Sequence, residues 1–390
     1  MFLRSSKTKS ATTPVKRRSS FVMVLSAALF SFLILLSFSN TAKADRIILR
    51  NLKILNGVTV TAFDEDGVKI AGQGIVTWDE IERGTVAADK QAGFDRLKLE
   101  LGTPLYRIRQ RLTVGDYSGL VEEAEKLLPR YRSRSSQSAY MVVQALMWGR
   151  LADNRREEAV EAYLLCFDQL RNNKSYYEKL PGPRKLNYDA TSGFTSEIVP
   201  VFFDKEAAKK ILPKIRTTAQ SMKAPIPQAA LIYYVTIALA AEDVAAADNL
   251  LANVKDTPAI TGQWKTLCEA QKHVLAKEYE LAEIILAGQV YSMHQFNRPA
   301  AHYWLGTARI LGSDPNKVER GALDLLIIPA TQGDKSSELS AAALHRAMQA
   351  YQRLKQPGNL ASVRKELLSK FSGTFHATQL KKQLSNSNDL

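Results

Sequence analysis

The chain has 390 residues, of which 45% are hydrophobic and 24% charged, with 14 prolines and 20 glycines. That length can bury a sizeable core in one or two domains, and the composition excludes a disordered chain. The formal charge of +14 does not mark a nucleic-acid binder. Seven basic residues (Arg4, Lys7, Lys9, Lys16, Arg17, Arg18 and Lys43) lie before Asp45 with no acid among them, leaving 46 basic against 39 acidic residues. No dense basic stripe with interleaved aromatics follows, as phosphate binding would require.

Residues 1–20 are polar and basic. Phe21–Phe38 is an apolar run broken by serines, and Ala42-Lys43-Ala44 precedes Asp45. A basic region, an apolar region and an Ala-x-Ala site in this order predict an export signal over residues 1–44. The alternative is an uncleaved membrane tether through Phe21–Phe38, which nearly has the length of a span. Either reading places the rest of the chain in an exported compartment, periplasmic or cell-envelope.

Residues 45–86 predict a small β-meander of three or four strands. Ile47–Leu55 is apolar, Asn56-Gly57 is a turn pair, and Val58–Phe63 alternates with β-branched residues. Asp66-Gly67 and Gly72-Gln73-Gly74 are further turns, Ile75–Trp78 is the last strand, and Asp79 could open a helical turn. A sheet this small needs a neighbour over its apolar face, either the helices or a partner. Asp64-Glu65-Asp66-Gly67 resembles a calcium loop, but the first and twelfth ligand places would be Ala62 and Gln73, so a charged hairpin turn is expected.

From Ala87 the apolar period is three to four. Six helical hairpins are expected near 104–132, 135–173, 226–255, 260–292, 298–328 and 336–371, with a closing helix near 374–384 and a frayed end at Ser385–Asp389. Ala247 and Ala282 are 35 residues apart, and Leu239, Leu275 and Leu311, at the ends of successive first helices, are each 36 apart. Ala159/Tyr163, Ala247/Leu251, Ala282/Leu286 and Ala322/Leu326 each set a small residue four places before an apolar one, and Tyr303-Trp304 leads into Leu305-Gly306. On these residues the chain resembles tetratricopeptide (TPR-like) repeats, which pair two helices every 34 residues or so. The resemblance covers roughly 103–173 and 225–372. It implies a mainly α fold, an α-solenoid of degenerate TPR-like hairpins over 87–385, and it carries no functional residue. The chain departs from the pattern where Leu120 stands in a small residue's place, and at Leu151–Glu158 and Gly312–Arg320, where the turns read as long.

An irregular insertion at 174–203 interrupts the array. Tyr176-Tyr177, Pro181-Gly182-Pro183 and Gly193 argue against helix there, and Asp204 reads as the N-cap of a helix over Lys205–Met222. Such an insertion either carries function or plugs a seam with its aromatic residues.

No catalytic set is legible. The five histidines form no i, i+4 pair, and no nucleophile elbow or phosphate loop is present. Glu122-Glu123 and Glu157-Glu158 read as solvated charge, and Tyr233-Tyr234 and Tyr303-Trp304 as core. Cys166 and Cys268 sit among apolar residues and are expected as buried free thiols, a disulfide being the alternative. No cofactor, metal or catalytic residue is expected. Binding is what remains: a scaffold or adaptor holding another protein or peptide along its first helices, with Lys265, Lys272 and Arg309 as instances of exposed side chains. The alternatives are an exported enzyme acting on cell-wall polymer around 174–203, and a membrane-anchored structural component.

Overall fold

The computed structural model describes residues 45–173, 175, 180, 182–257, 259–333 and 336–388. The export segment, Tyr176-Tyr177 and Pro181 lie outside the described residues. The fold is mainly helical, with a small antiparallel β region at its N-terminal end.

That β region is two three-stranded sheets and not one meander. Strands β1 (Asp45–Leu49), β2 (Ile54–Val58) and β6 (Ile81–Thr85) form one sheet, in the order β2-β1-β6. Strands β3 (Val60–Asp64), β4 (Gly67–Ile70) and β5 (Gly74–Val76) form the other, in chain order. The expected turn at Asn56-Gly57 falls inside β2. The chain reverses earlier, where Leu52 takes φ 67° and its N–H bonds to the Leu49 carbonyl. The other two turns stand where expected, and Asp79 lies in the single 3₁₀ turn Trp78–Glu80. β6 has no alternating signature; it is recruited by pairing with β1.

The sheets dock on the helices. Phe63, Trp78 and Phe94 meet edge-on with ring centroids 5.3–6.4 Å apart, and the Trp78 indole N–H donates to the Asp64 carbonyl at 2.6 Å. Gly84 makes this possible, because a Cβ there would lie 2.5 Å from the Phe94 ring. The acidic hairpin is held by Arg134, which reaches Glu65 at 2.5 Å and Asp66 at 2.9 Å. It is a charged turn, as expected.

Helices α1 (Ala88–Leu97) and α2 (Thr103–Val114) are joined by a π turn. Then follow α3 (Leu120–Tyr131), α4 (Gln137–Ala152), α5 (Arg156–Asn172), α6 (Lys205–Ser221), α7 (Gln228–Ala240), α8 (Val244–Leu251), α9 (Ala259–Leu275), α10 (Tyr279–Ala287), α11 (Arg298–Leu311), α12 (Pro315–Gln332), α13 (Ser337–Arg353), α14 (Pro357–Lys370) and α15 (Phe375–Asn388). The hairpins are α2/α3, α4/α5, α7/α8, α9/α10, α11/α12 and α13/α14. The last helix continues through Asn388, where fraying was expected from Ser385.

Five of the six hairpins share one backbone turn. Gly115, Asn154, Glu242, Lys277 and Lys355 all have φ between 55° and 75°. In each, the next residue's N–H bonds back to the carbonyl five residues earlier (Asp116 to Arg111, Arg155 to Arg150, Asp243 to Ala238, Glu278 to His273, Gln356 to Tyr351). This is the Schellman closure, which satisfies the last carbonyls of the first helix. The turns expected to be long are short: only 153–155 and 312–314 separate their helices.

The small residues act where the spacing placed them. Ala159, Ala247, Ala282 and Ala322 are fully buried, as are Tyr163 and Leu286, and Leu251 is nearly so; at the fourth site Leu325 is buried and Leu326 half-buried. In the first hairpin, where Leu120 stands in the small residue's place, the close approach is made by Gly149 on the next helix, α4, where a Cβ would lie 2.8 Å from Val121 and 3.2 Å from Leu120. Gly306 and Gly321 each approach the other's carbonyl, so α11 and α12 pack at backbone distance.

Three first helices, α4, α7 and α11, and the second helix α5 are inside, whereas α2 buries one stripe. Every residue of 138–150 in α4 and of 300–310 in α11 is buried, and α7 is apolar on all faces. The second helices α8 and α10 bury a single stripe.

Candidate functional site

The insertion explains that burial. Its irregular segment, 182–203, lies across the first helices. Phe194 has ring centroids 6.0, 6.0 and 5.3 Å from Tyr233, Trp264 and Phe296, and Phe203 packs on Tyr303 and His376. Two phenols tie its backbone down: Tyr163 donates to the Gly193 carbonyl and Tyr233 to the Ile198 carbonyl, both at 2.6 Å. Arg156 donates to the carbonyls of Val199 and Val201. Gly193 has φ 81° and no room for a side chain, since a Cβ would lie 2.7 Å from Phe167. The segment is the plug of the two alternatives, and it occupies the surface where binding was expected. Its end is capped as predicted, with the Asp204 carboxylate accepting from the Ala207 N–H at 3.0 Å.

Of Lys265, Lys272 and Arg309, only Lys265 keeps a substantially exposed side chain. Arg309 is buried against Glu283 and Asp324. Lys272 pairs with Asp248 and Glu269, and Lys265 lies 3.6 Å from Asp256. Tyr233-Tyr234 and Tyr303-Trp304 are core. Cys166 and Cys268 are buried free thiols, and burial pushes both pKa values up, so neither is a reactive thiolate. Among the described residues no group of three metal-ligating side chains occurs, and no helix is long and apolar enough to cross a membrane.

Glu157-Glu158 is a correction, since both are buried and not solvated. Glu158 pairs with Arg155 at 2.6 Å. Glu157 accepts from the backbone N–H groups of Phe203 and Asp204 at 3.2 Å, fastening the end of the plug. Burial raises its pKa, opposed by Arg156 and these N–H groups. The sequence hid this because a second chain segment covers the start of α5.

Beside Arg156 the plug borders a half-open cavity of about 210 Å³. Its walls are the start of α5 (Asn154, Arg156), the plug (Arg184, Ser196, Glu197) and the start of α13 (Ser336, Ser337, Glu338). Arg184 and Glu197 pair at the rim, and the Arg184 guanidinium lies 4.0 Å over the Trp148 ring. Arg156 and Glu338 are charged groups of another kind: among the described residues neither makes an ion pair. Burial lowers the Arg156 pKa, opposed by Glu157 and then Glu338, and raises that of Glu338, opposed by Arg156. The Glu338 carboxylate accepts from the Phe375 N–H at 3.2 Å. Ser196 also lines an open groove of about 590 Å³ on the far side of the plug, between Tyr188 and Phe296.

No family model, curated protein or solved structure matches this chain.

Proposed function

We propose that this chain is an exported, TPR-like α-solenoid that acts as a scaffold, holding another protein in the cell envelope. The observation that carries the reading is the repeated hairpin, with one left-handed turn recurring at Gly115, Asn154, Glu242, Lys277 and Lys355. Arrays of this kind bury a continuous core between neighbouring repeats and expose long binding faces. The basic, apolar and Ala-x-Ala order of residues 1–44 supports export.

The plug moves the proposed contact away from the first helices. Large apolar side chains stay exposed on the outer helices: Leu281 and Ile284 on α10, Tyr291 just after it, and Leu323 on α12, with Ile284 74% and Tyr291 70% exposed. These are the residues proposed to meet the partner.

One observation favours a second reading, an enzyme: Glu157 and Glu338 are both carboxyls with pKa values raised by burial, close to one cavity. Glu157 does not line that cavity and is occupied by the backbone N–H groups of Phe203 and Asp204, so the scaffold reading is preferred. Fractionation and N-terminal sequencing of the chain from its own host tests export. A chain beginning at Asp45 in an extracytoplasmic fraction supports it. A full-length cytoplasmic chain contradicts it, and a full-length membrane-bound chain replaces the cleaved signal with a tether through Phe21–Phe38.

A further inference from the structure

We propose that the cavity between the plug and the starts of α5 and α13 binds a small zwitterion of the α-amino-acid class, with its carboxylate toward Arg156 and its ammonium toward Glu338. Both side chains line the cavity, and neither touches an opposite charge among the described residues. Withdrawing a guanidinium and a carboxylate from water without a direct ion pair is costly; beyond their backbone partners, Arg156 is offset only at longer range by Glu157 and Glu338, and Glu338 only at longer range by Arg156. An anion would satisfy Arg156 but meet Glu338 as a like charge, and a cation would do the reverse. A molecule with both charges on neighbouring atoms neutralises both walls at once.

Size and lining set the rest of the class. A volume of about 210 Å³ suits a molecule the size of one amino acid. The hydroxyls of Ser196, Ser336 and Ser337 and the amide of Asn154 line the same space and supply further hydrogen-bonding groups. Arg184 and Glu197 neutralise each other at the rim, so neither selects a net charge on the way in. The site is independent of the scaffold reading, since it uses none of the outer apolar residues.

The test is calorimetric titration of the full chain with glycine, L-alanine, D-alanine and L-glutamate, and with propionate and ethylamine as single-charge controls. Saturable binding of one or more amino acids, with neither control binding, is expected. Glu338→Gln keeps the acceptor for the Phe375 N–H and should weaken that binding about tenfold or more, as loss of one charge-assisted contact does. Its unfolding temperature, measured alongside, should be unchanged or higher, which separates loss of the site from loss of the fold. Binding of propionate as tight as that of the amino acids would overturn the proposal in favour of a plain anion site. No binding by any amino acid at millimolar concentration, or unchanged binding by Glu338→Gln, would also overturn it.

Discussion

Arg150 on α4 and Glu161 on α5 pair at 3.2 Å with side chains 2% and 0% exposed, and Arg132 reaches the same carboxylate from the end of α3 at 2.5 Å. The Arg150 guanidinium also donates to the Glu158 carbonyl and approaches Glu125, so one residue crosslinks three helices. Removing one partner of such a pair leaves the other charge buried. Arg150→Met is therefore expected to cost about 3–5 kcal/mol, read as a lower urea midpoint with unchanged slope. A loss below 1 kcal/mol would mean the network is solvated.

The plug is held by two phenols. Tyr163→Phe and Tyr233→Phe each delete one hydrogen bond to a buried carbonyl and should each destabilise by about 1–3 kcal/mol. Limited proteolysis should then cut first within 182–203. If cleavage instead begins in the helices, the plug is not the weaker element.

The shared turn makes opposite predictions at equivalent positions. Gly115→Ala forces a Cβ into the left-handed region and should cost about 1 kcal/mol, whereas Lys277→Gly relieves that conformation and should gain up to about 1 kcal/mol. Both are measured by thermal unfolding. The same sign at both sites would remove the equivalence of the turns.

Acid should loosen the C-terminal helix. His345 and His376 stack with centroids 4.7 Å apart; burial pushes the His376 pKa down to about 3, with His345 and Arg346 adding to it, and also lowers that of His345. A depressed histidine pKa makes the folded state bind its proton later than the unfolded one. The stability is complete above pH 6.5 and is lost as pH falls from about 6.5 toward 3. Glu338, which accepts from the Phe375 N–H beside this pair, has the opposite sign. Its raised pKa means folding is favoured as it protonates, so Glu338→Gln should be neutral or stabilising at pH 7. Unfolding followed from pH 7 to 4 should show a loss that His376→Leu largely removes. An unchanged slope in that variant would assign the loss to other groups.

Much of the helical body was legible because amphipathic period, N-caps and turn residues are local. Asp204 and the Ala247/Leu251 and Ala282/Leu286 pairs stand where the spacing put them, whereas the helix ends flanking 153–155 and 312–314 and the end of the last helix do not. Long-range pairing was not legible. β6 becomes a strand because β1 offers an edge, and Asn56-Gly57 makes an irregularity within β2 rather than a reversal, with Gly57 left-handed at φ 70° and skipped in the pairing with β1. The candidate site was hidden for the same reason. Glu157 reads as solvated charge in the sequence, and nothing in its own neighbourhood, or in those of Arg156 and Glu338, encodes the plug that packs beside them.

The outer face of the array is proposed to hold a protein partner. This is tested most directly by in-cell crosslinking and capture of the C-terminally tagged chain, beside an Ile284→Glu/Leu323→Glu variant. The account predicts one dominant, salt-resistant protein partner that the variant loses while remaining folded. A chain that captures nothing above background, or a variant that captures the same partner undiminished, would contradict it.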